Sequence, residues 1–599
     1  MWPFTRRPSP AHATPGRSAS TGPASVPISE TEAQAARLSA NLDTTSTTLQ
    51  LVGGVDVALL KDLITETSTL EKRLESFTTD LESGSLDSFS GDVASAYDRL
   101  KNTVGQSPDV IIRRFLIGKT VQIPAVLAFV DGLSDSQIID QDTIMLAEKY
   151  DQSYRLTKDP GRAHQIVHDS VVSAGHATVE TSWEKLLVKL MGGNTILFVQ
   201  GTSNVLVLDT VKYPARSIST PTTERSVMGS QEAFNEVILT QMNMIRMRIK
   251  SPELHFDVIS LGEISHTNVA IAHVEGLTNP ELVAAVKRKL SVAKMASVQS
   301  GQQLIPLLVS HSNSLFPQVR RTERPDVVAR EITMGKVAVL VDNTPFVMLM
   351  PNTLMDFYQT IEDYTMNSWY ATLERMIRFL GLFLGLLLPP LYISLTSVNP
   401  DLLPTKMVLT IAGSRVGLPL PPIFEVLTMW AVIEVLREAS LRLPKELSTT
   451  LGTVGAIVVG TAIVKAGIVS PLMIVIITLT ALGLFTSPSY EMAVPWRVLF
   501  WLLIALSYLL GLYGLILGLL GILSHLATLE NFGVPYLRPF GPYSWRDMKD
   551  SFVRFPEASL TRRPSYLHTL LPKKSSHWNA DPMPNPKLGQ AQEERLHGQ

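Results

Sequence analysis

The stretch Phe379 to Val398, FLGLFLGLLLPPLYISLTSV, contains no charged residue. At a rise of about 1.5 Å per residue, a run of this length crosses a hydrocarbon core about 30 Å thick. Three further apolar runs follow: Thr449 to Gly467, Pro471 to Ser487 and Val498 to Leu526. The chain ahead of Phe379 is polar enough to fold in water. The fold class that follows is α+β joined to an α-helical membrane domain of four to five spans, 378–527.

Outward from that block, whole-chain averages conceal the split. The 599 residues carry a net charge of −2 and are 18% charged, a near balance that points to neither nucleic acid nor an acidic substrate. There is no cysteine, which excludes disulfides, thiolate metal sites and thiol catalysis. The first residues, MWPFTRRPSPAHATPGRSAS, hold arginines but no apolar core, so no signal peptide is read and the soluble part is expected to face the cytosol. Residues 1–48 are rich in Pro, Ser, Thr and Ala and too poor in large apolar side chains to offset their ordering entropy; a disordered tail is expected. Within 49–108, Leu59, Leu60, Leu63, Leu70 and Leu74 recur at helical spacing, which predicts a helical subdomain.

A repeated signature follows. Ala125 to Val130 (AVLAFV) runs into Asp131-Gly132, Thr195 to Val199 (TILFV) into Gln200-Gly201, Val269 to Val274 (VAIAHV) into Glu275-Gly276, and Val337 to Val341 (VAVLV) into Asp342-Asn343. Each is a β-branched apolar strand closed by a pair that tolerates positive φ. Helix-like segments follow the first and third, and second strands follow the other two. The pattern reads as an α/β unit used twice, in subdomains 109–250 and 251–377; generic strand endings in one mixed domain are the alternative.

Ile423 to Leu441 is apolar but carries Glu425, Glu434, Arg437 and Glu438, and reads as an amphipathic helix at the membrane surface or beside a wet cavity, or as a fifth span. The tail, 528–599, concentrates Arg538, Arg546, Lys549, Arg554, Arg562, Arg563, Lys573 and Lys574, which places it on the cytoplasmic side with the soluble domain and requires an even number of spans. Gly511, Gly514, Gly518 and Gly521 share one helix face, as do Gly381 and Gly385; such faces allow close helix packing in lipid, and self-association is expected through the first set. Pro389-Pro390 predicts a kink or break in the first span, and Lys465 either snorkels to the interface or joins a polar pathway.

No motif supports catalysis. Gly118-Lys119-Thr120 lacks the first glycine of a phosphate loop, because position 113 is Arg113. His164 and His168 have zinc-helix spacing, but Gln165 stands where a general-base glutamate would. Neither enzyme activity nor a cofactor is expected.

Several segments then stand in a telling order: Thr322 to Asp326 (TERPD), Gly335 to Phe346 (GKVAVLVDNTPF), Ile411 to Pro421 (IAGSRVGLPLP), Leu436 to Ala439 (LREA), Ala466 to Pro471 (AGIVSP) and Phe532 to Tyr536 (FGVPY). With Asp131-Gly132-Leu133, Glu275-Gly276-Leu277 and Leu315 to Gln318 (LFPQ), they resemble the A subunit of GerA-type spore germinant receptors over about 110–565. Val416, Lys465, Ser230 and Ala233 depart from that pattern. The resemblance implies a multi-pass subunit of the spore inner membrane, partnered by a transporter-like B subunit that binds the germinant and a lipoprotein C subunit. It also implies oligomerisation and a contribution to ion release; the candidate polar or pore residues, read from their place in or beside the apolar runs, are Glu425, Glu434, Arg415 and Lys465. A secondary transporter, or a membrane-anchored scaffold without channel activity of its own, are the competing readings.

Overall fold

The computed structural model describes residues 89–574, apart from 120, 145–146, 148–166, 168–176, 213–219, 222–223, 225, 227–228, 443–462 and 464. The expected disordered tail, most of segment 49–108, His164, His168 and most of the apolar run 449–467 lie outside the described residues.

Asp92 accepts hydrogen bonds from the backbone of Ala94 and Ser95 and so caps α1 (Val93–Thr103). The chain continues through β1 (Val110–Ile117), β2 (Ile123–Val130), a π-helical turn (Ile138–Ile144), β3 (Ala177–Glu180), α2 (Trp183–Met191), β4 (Thr195–Val199) and β5 (Val205–Leu208). Then α3 (Ile238–Arg246) opens the series again, with β6 (Leu254–Leu261), β7 (Thr267–Val274), α4 (Pro280–Ser291), β8 (Arg320–Thr322), α5 (Pro325–Thr333), β9 (Val337–Val341) and β10 (Val347–Met350). Two five-stranded sheets result, ordered β1-β2-β4-β5-β3 and β6-β7-β9-β10-β8. Their registers correspond: Ala125 pairs with Val199 and Ala128 with Ile196, as Val269 pairs with Val341 and Ala272 with Ala338.

The turn pairs that mark these strands place Gly132, Gly201, Gly276 and Asn343 at positive φ. All pairings in both sheets are antiparallel, so the units are α+β and not the parallel kind of α/β. In the first unit Val126, Ala128, Ile196 and Phe198 pack with α1 and α2, while Ala125, Leu127, Leu197 and Val199 fill the opposite face. In the second, Ala270, Ala272 and Leu340 pack with α3 and α5, while Val269, Ile271 and Val339 pack with α4. Burial on both faces explains why these strands read as unbroken apolar runs. Because α3 lies in the second core, the border between units falls before Phe234, not after residue 250. Each unit begins with the helix ahead of its first strand. A buried ion pair ties the two units: Arg246 of α3 binds Asp109, just before β1, at 2.5 Å.

Beyond the sheets come α6 (Ser368–Ile393), continued by a π-helical turn (Ser394–Val398), then α7 (Thr405–Ser414), α8 (Pro422–Arg442), α9 (Pro471–Phe485) and α10 (Tyr490–Thr528). Two stretches, Ser368–Val398 and Tyr490–Thr528, are long and apolar enough to cross a bilayer. No break occurs at Pro389-Pro390; the helix runs on to Ile393, and the Ser394 hydroxyl donates to the Pro390 carbonyl at 2.9 Å.

The last apolar run is not a single rod. At Gly511 the backbone leaves helical geometry (φ 63, ψ −143). A straight helix of 39 residues would be about 58 Å long, yet both ends meet the second sheet unit. Glu491 pairs with Arg321, His525 Nε2 lies 3.0 Å from Ser314 Oγ, and the Phe316 ring is 5.2 Å from Trp496 and 6.1 Å from His525. The run is therefore a hairpin with legs 490–510 and 512–528. Its tip is held by Asn399, whose Oδ1 accepts from Leu512 N at 3.0 Å.

Residues 423–441 are not a separate segment, because Val426, Met429 and Trp430 are buried in the core of the helical layer. Nor is the C-terminal segment a free tail. After a small hairpin, β11 (Glu530–Asn531) and β12 (Val534–Pro535), it folds onto the second unit: Leu354 N donates to Tyr536 O (2.8 Å), Arg563 Nε to Thr333 O (2.9 Å) and Leu570 N to Leu277 O (3.0 Å).

Candidate functional site

Two polar clusters stand out among the described residues, one where the sheet units meet the helical layer and one inside that layer. The first is a joint at the base of α6. Arg375 and Arg378, one turn apart, both bind the buried Asp363, Arg375 Nε at 2.8 Å. Arg375 Nη1 also lies 3.0 Å from Asp550 and donates to the carbonyls of Asp550 (2.8 Å) and Ser551 (2.9 Å). Arg378 Nη1 donates to Tyr358 O, and Tyr358 accepts from Trp496 Nε1 at 2.6 Å. Burial alone would raise the Asp363 pKa, but the hydrogen bond from Arg378 and the charge of Arg375 outweigh it and hold the carboxyl below its usual range. Nearby, Glu331 is buried yet held low by Lys336, at 2.8 Å, and by Arg330, at 2.7 Å. The joint binds three parts of the chain together: the second unit, the base of α6 and the folded tail.

The second cluster lies within the helical layer. Glu425, at 0% exposure, accepts from Ser470 N (3.0 Å) and Ser470 Oγ (2.9 Å) and pairs with Arg415 at 3.3 Å. The Tyr392 hydroxyl is beside Glu425, Arg415 and Ser470. Tyr392 is 13 residues along α6 from Phe379, a distance of about 20 Å, so this pair sits deep in the apolar layer. Ser470 also caps α9, with Oγ accepting from Met473 N, and Pro471 follows at the first helical position. At the other end of α8, Glu434 pairs with Arg437 and lies 3.4 Å from Arg497.

The remaining candidates are distributed as follows. Lys465 is exposed. Gly381 and Gly385 face Gly483, Leu484 and Thr486 of α9, and a Cβ at Gly385 would come 2.9 Å from Leu484. Gly514 and Gly518 face Leu506 and Leu503 on the other leg of their own hairpin, and Gly511 is its turn. The expected self-association through Gly514 and Gly518 does not stand, since that face is filled within the chain; Gly521 has open space. Pro389 and Pro390 are buried within α6. Ser470 carried a readable signal, a capping residue ahead of proline. Asn399, Asp363 and Asp550 carried none, because their roles depend on partners distant in sequence.

A family model described as Bacillus/Clostridium GerA spore germination protein matches residues 98–566. Spore germination protein KA of Bacillus subtilis (strain 168) is 35% identical over 464 residues, 78% of this chain and 84% of that protein. The uncharacterized membrane protein YfkQ of the same organism is 33% identical over 461 residues, 76% of this chain and 87% of that one. The crystal structure of the N-terminal domain of the A subunit of the Bacillus megaterium spore germinant receptor GerK3 is 27% identical, covers 44% of this chain and 96% of its own, and has a TM-score of 0.34.

Proposed function

Because the chain belongs to the GerA spore germination protein family, we propose that it is the membrane subunit of a spore germinant receptor, coupling germinant sensing to ion release. The observation that carries this reading is the Arg415–Glu425 pair within an apolar helical layer, with the Glu425 carboxylate fully buried. Ionisable groups placed in a membrane are costly and are retained where they serve a pathway or a switch. The joint around Asp363 supplies the mechanical link, since a shift of the second unit or the tail must be carried into α6 through Arg375 and Arg378.

On this reading α6, α8, α9 and the two legs of α10 are the passes among the described residues, so that the last apolar run crosses twice and not once. Both ends of α10 meet the second unit, which leaves the soluble units and the folded tail on one side, the cytosol or spore core, in keeping with the basic tail. The subunit acts without an enzymatic step of its own, oligomerises, and works with a transporter-like B subunit and a lipoprotein C subunit.

Glu425→Gln provides the test, since it keeps an acceptor for Ser470 and removes the charge. In spores the variant should accumulate to the normal level and release ions poorly on germinant addition. Normal release at a normal level would refute the assignment.

A further inference from the structure

The folded tail wraps the base of the helical layer, and its outer face is aromatic and basic. Just ahead of the segment, Tyr536 N donates to Leu529 O at 2.9 Å, where the second leg of α10 ends, and Gly541 and Pro542 line one cavity with Ala527 and Thr528. Further on, the Phe552 ring packs edge-on to Phe379, the first residue of the uncharged run, at 4.4 Å, and Arg554 N donates to Thr372 Oγ1 at 3.0 Å. Segment 540–555 is therefore fastened at two points to the level where the apolar helices begin. Between those points Tyr543 and Trp545 are 64% and 70% exposed, and their rings are 6.4 Å apart. Phe555 is 40% exposed, and the α6 residues that start the same level, Trp369 and Tyr370, are 84% and 51% exposed.

In water such a grouping of large aromatic side chains is unfavourable. At a membrane interface it is favoured, because amphipathic rings settle among headgroups. Of the segment's three cations, Arg554 is buried and paired with Glu557, which leaves Arg546, exposed, and Lys549, partly so. Neither forms an ion pair with a described residue. The acidic residues of the segment are already paired with cations, Asp547 with Arg538 at 3.7 Å and Asp550 with Arg375 at 3.0 Å. The free charge of the outer face is thus positive.

We propose that segment 540–555 is an interfacial belt that seats Tyr543 and Trp545 in the headgroup layer and holds anionic lipid through Arg546 and Lys549. The belt would fix the joint at Asp363 and Asp550 to the bilayer surface, so lipid charge would bear on the link between the soluble units and α6. This rests on the reading that α6 and α10 are in the membrane.

The chain has no cysteine, so single labels test the belt on the full-length protein in lipid nanodiscs. Fluorophores are placed by Trp545→Cys, by Phe383→Cys in the apolar part of α6, and by Ile264→Cys in the exposed turn between β6 and β7. Quenchers are headgroup spin-labelled phosphatidylglycerol, the same label on phosphatidylcholine, and aqueous iodide. Position 545 should respond to lipid-borne quencher with a preference for phosphatidylglycerol approaching about 30-fold in local association for two basic residues. Arg546→Gln with Lys549→Gln should abolish the preference, and position 264 should respond to iodide alone. The proposal is overturned if position 545 behaves like 264, if it shows no preference for the anionic lipid, or if it is shielded from every quencher, as under another protein. Should position 383 also escape the lipid quenchers, the membrane reading of α6 is what has failed.

Discussion

Asp363 is buried between Arg375 and Arg378, so removing its charge takes the buried counter-charge from both guanidinium groups and leaves them the partly exposed Asp550 and Glu374. Asp363→Asn should cost about 3–5 kcal/mol, the range for breaking a buried pair. Since its folded pKa lies below the ordinary carboxylate value, the contribution is fully present above about pH 4 and is lost as pH falls through the lowered value. Thermal unfolding of wild type and Asp363→Asn should therefore differ by a constant amount near neutrality and converge in acid; a gap independent of pH would contradict the assigned charge. At this scale legibility depended on sequence distance. Arg375 and Arg378 are the last charges ahead of the uncharged run, whereas the carboxylates that hold them are set by folding. Arg415 and Glu425 were each noticeable, but the turn between them decides that they pair.

Among the elements, the helical hairpin makes the sharpest predictions. Trp496 and Leu526 are 30 residues apart and would be separated by about 45 Å along one straight helix, whereas adjacent antiparallel helices pack about 8–10 Å apart. Electron spin–spin distances between labels at these positions should fall in the short range; the long one would rule out the hairpin. Gly511→Ala should cost about 1–3 kcal/mol because a side chain is strained at that φ and ψ, and Asn399 leaves no room for it. Gly514→Leu should cost a similar amount, about 1–3 kcal/mol, by overpacking against the first leg. Gly521→Leu, which faces open space, should be neutral in the same melting assay. The strands were legible because a β-branched run and its turn pair are adjacent in sequence. The hairpin was not, since Gly511 is embedded in leucines and has the local pattern of a packing glycine; its turn is revealed only by Asn399, more than a hundred residues earlier.

For the whole molecule, the joint, the tail contacts and the hairpin ends place the second unit, residues 530–574 and the base of the helices at one level. Single cysteines at Ile264 and Leu571, both exposed, should be labelled by an impermeant reagent from one and the same side of sealed vesicles. Labelling from opposite sides would contradict this arrangement. The central claim, that this subunit passes ions on germinant binding, is tested most directly by flux. The purified receptor in liposomes should release trapped ions when germinant is added, without nucleotide, and Glu425→Gln should suppress that release while leaving the complex assembled. Unchanged flux from the assembled Glu425→Gln complex would contradict the account.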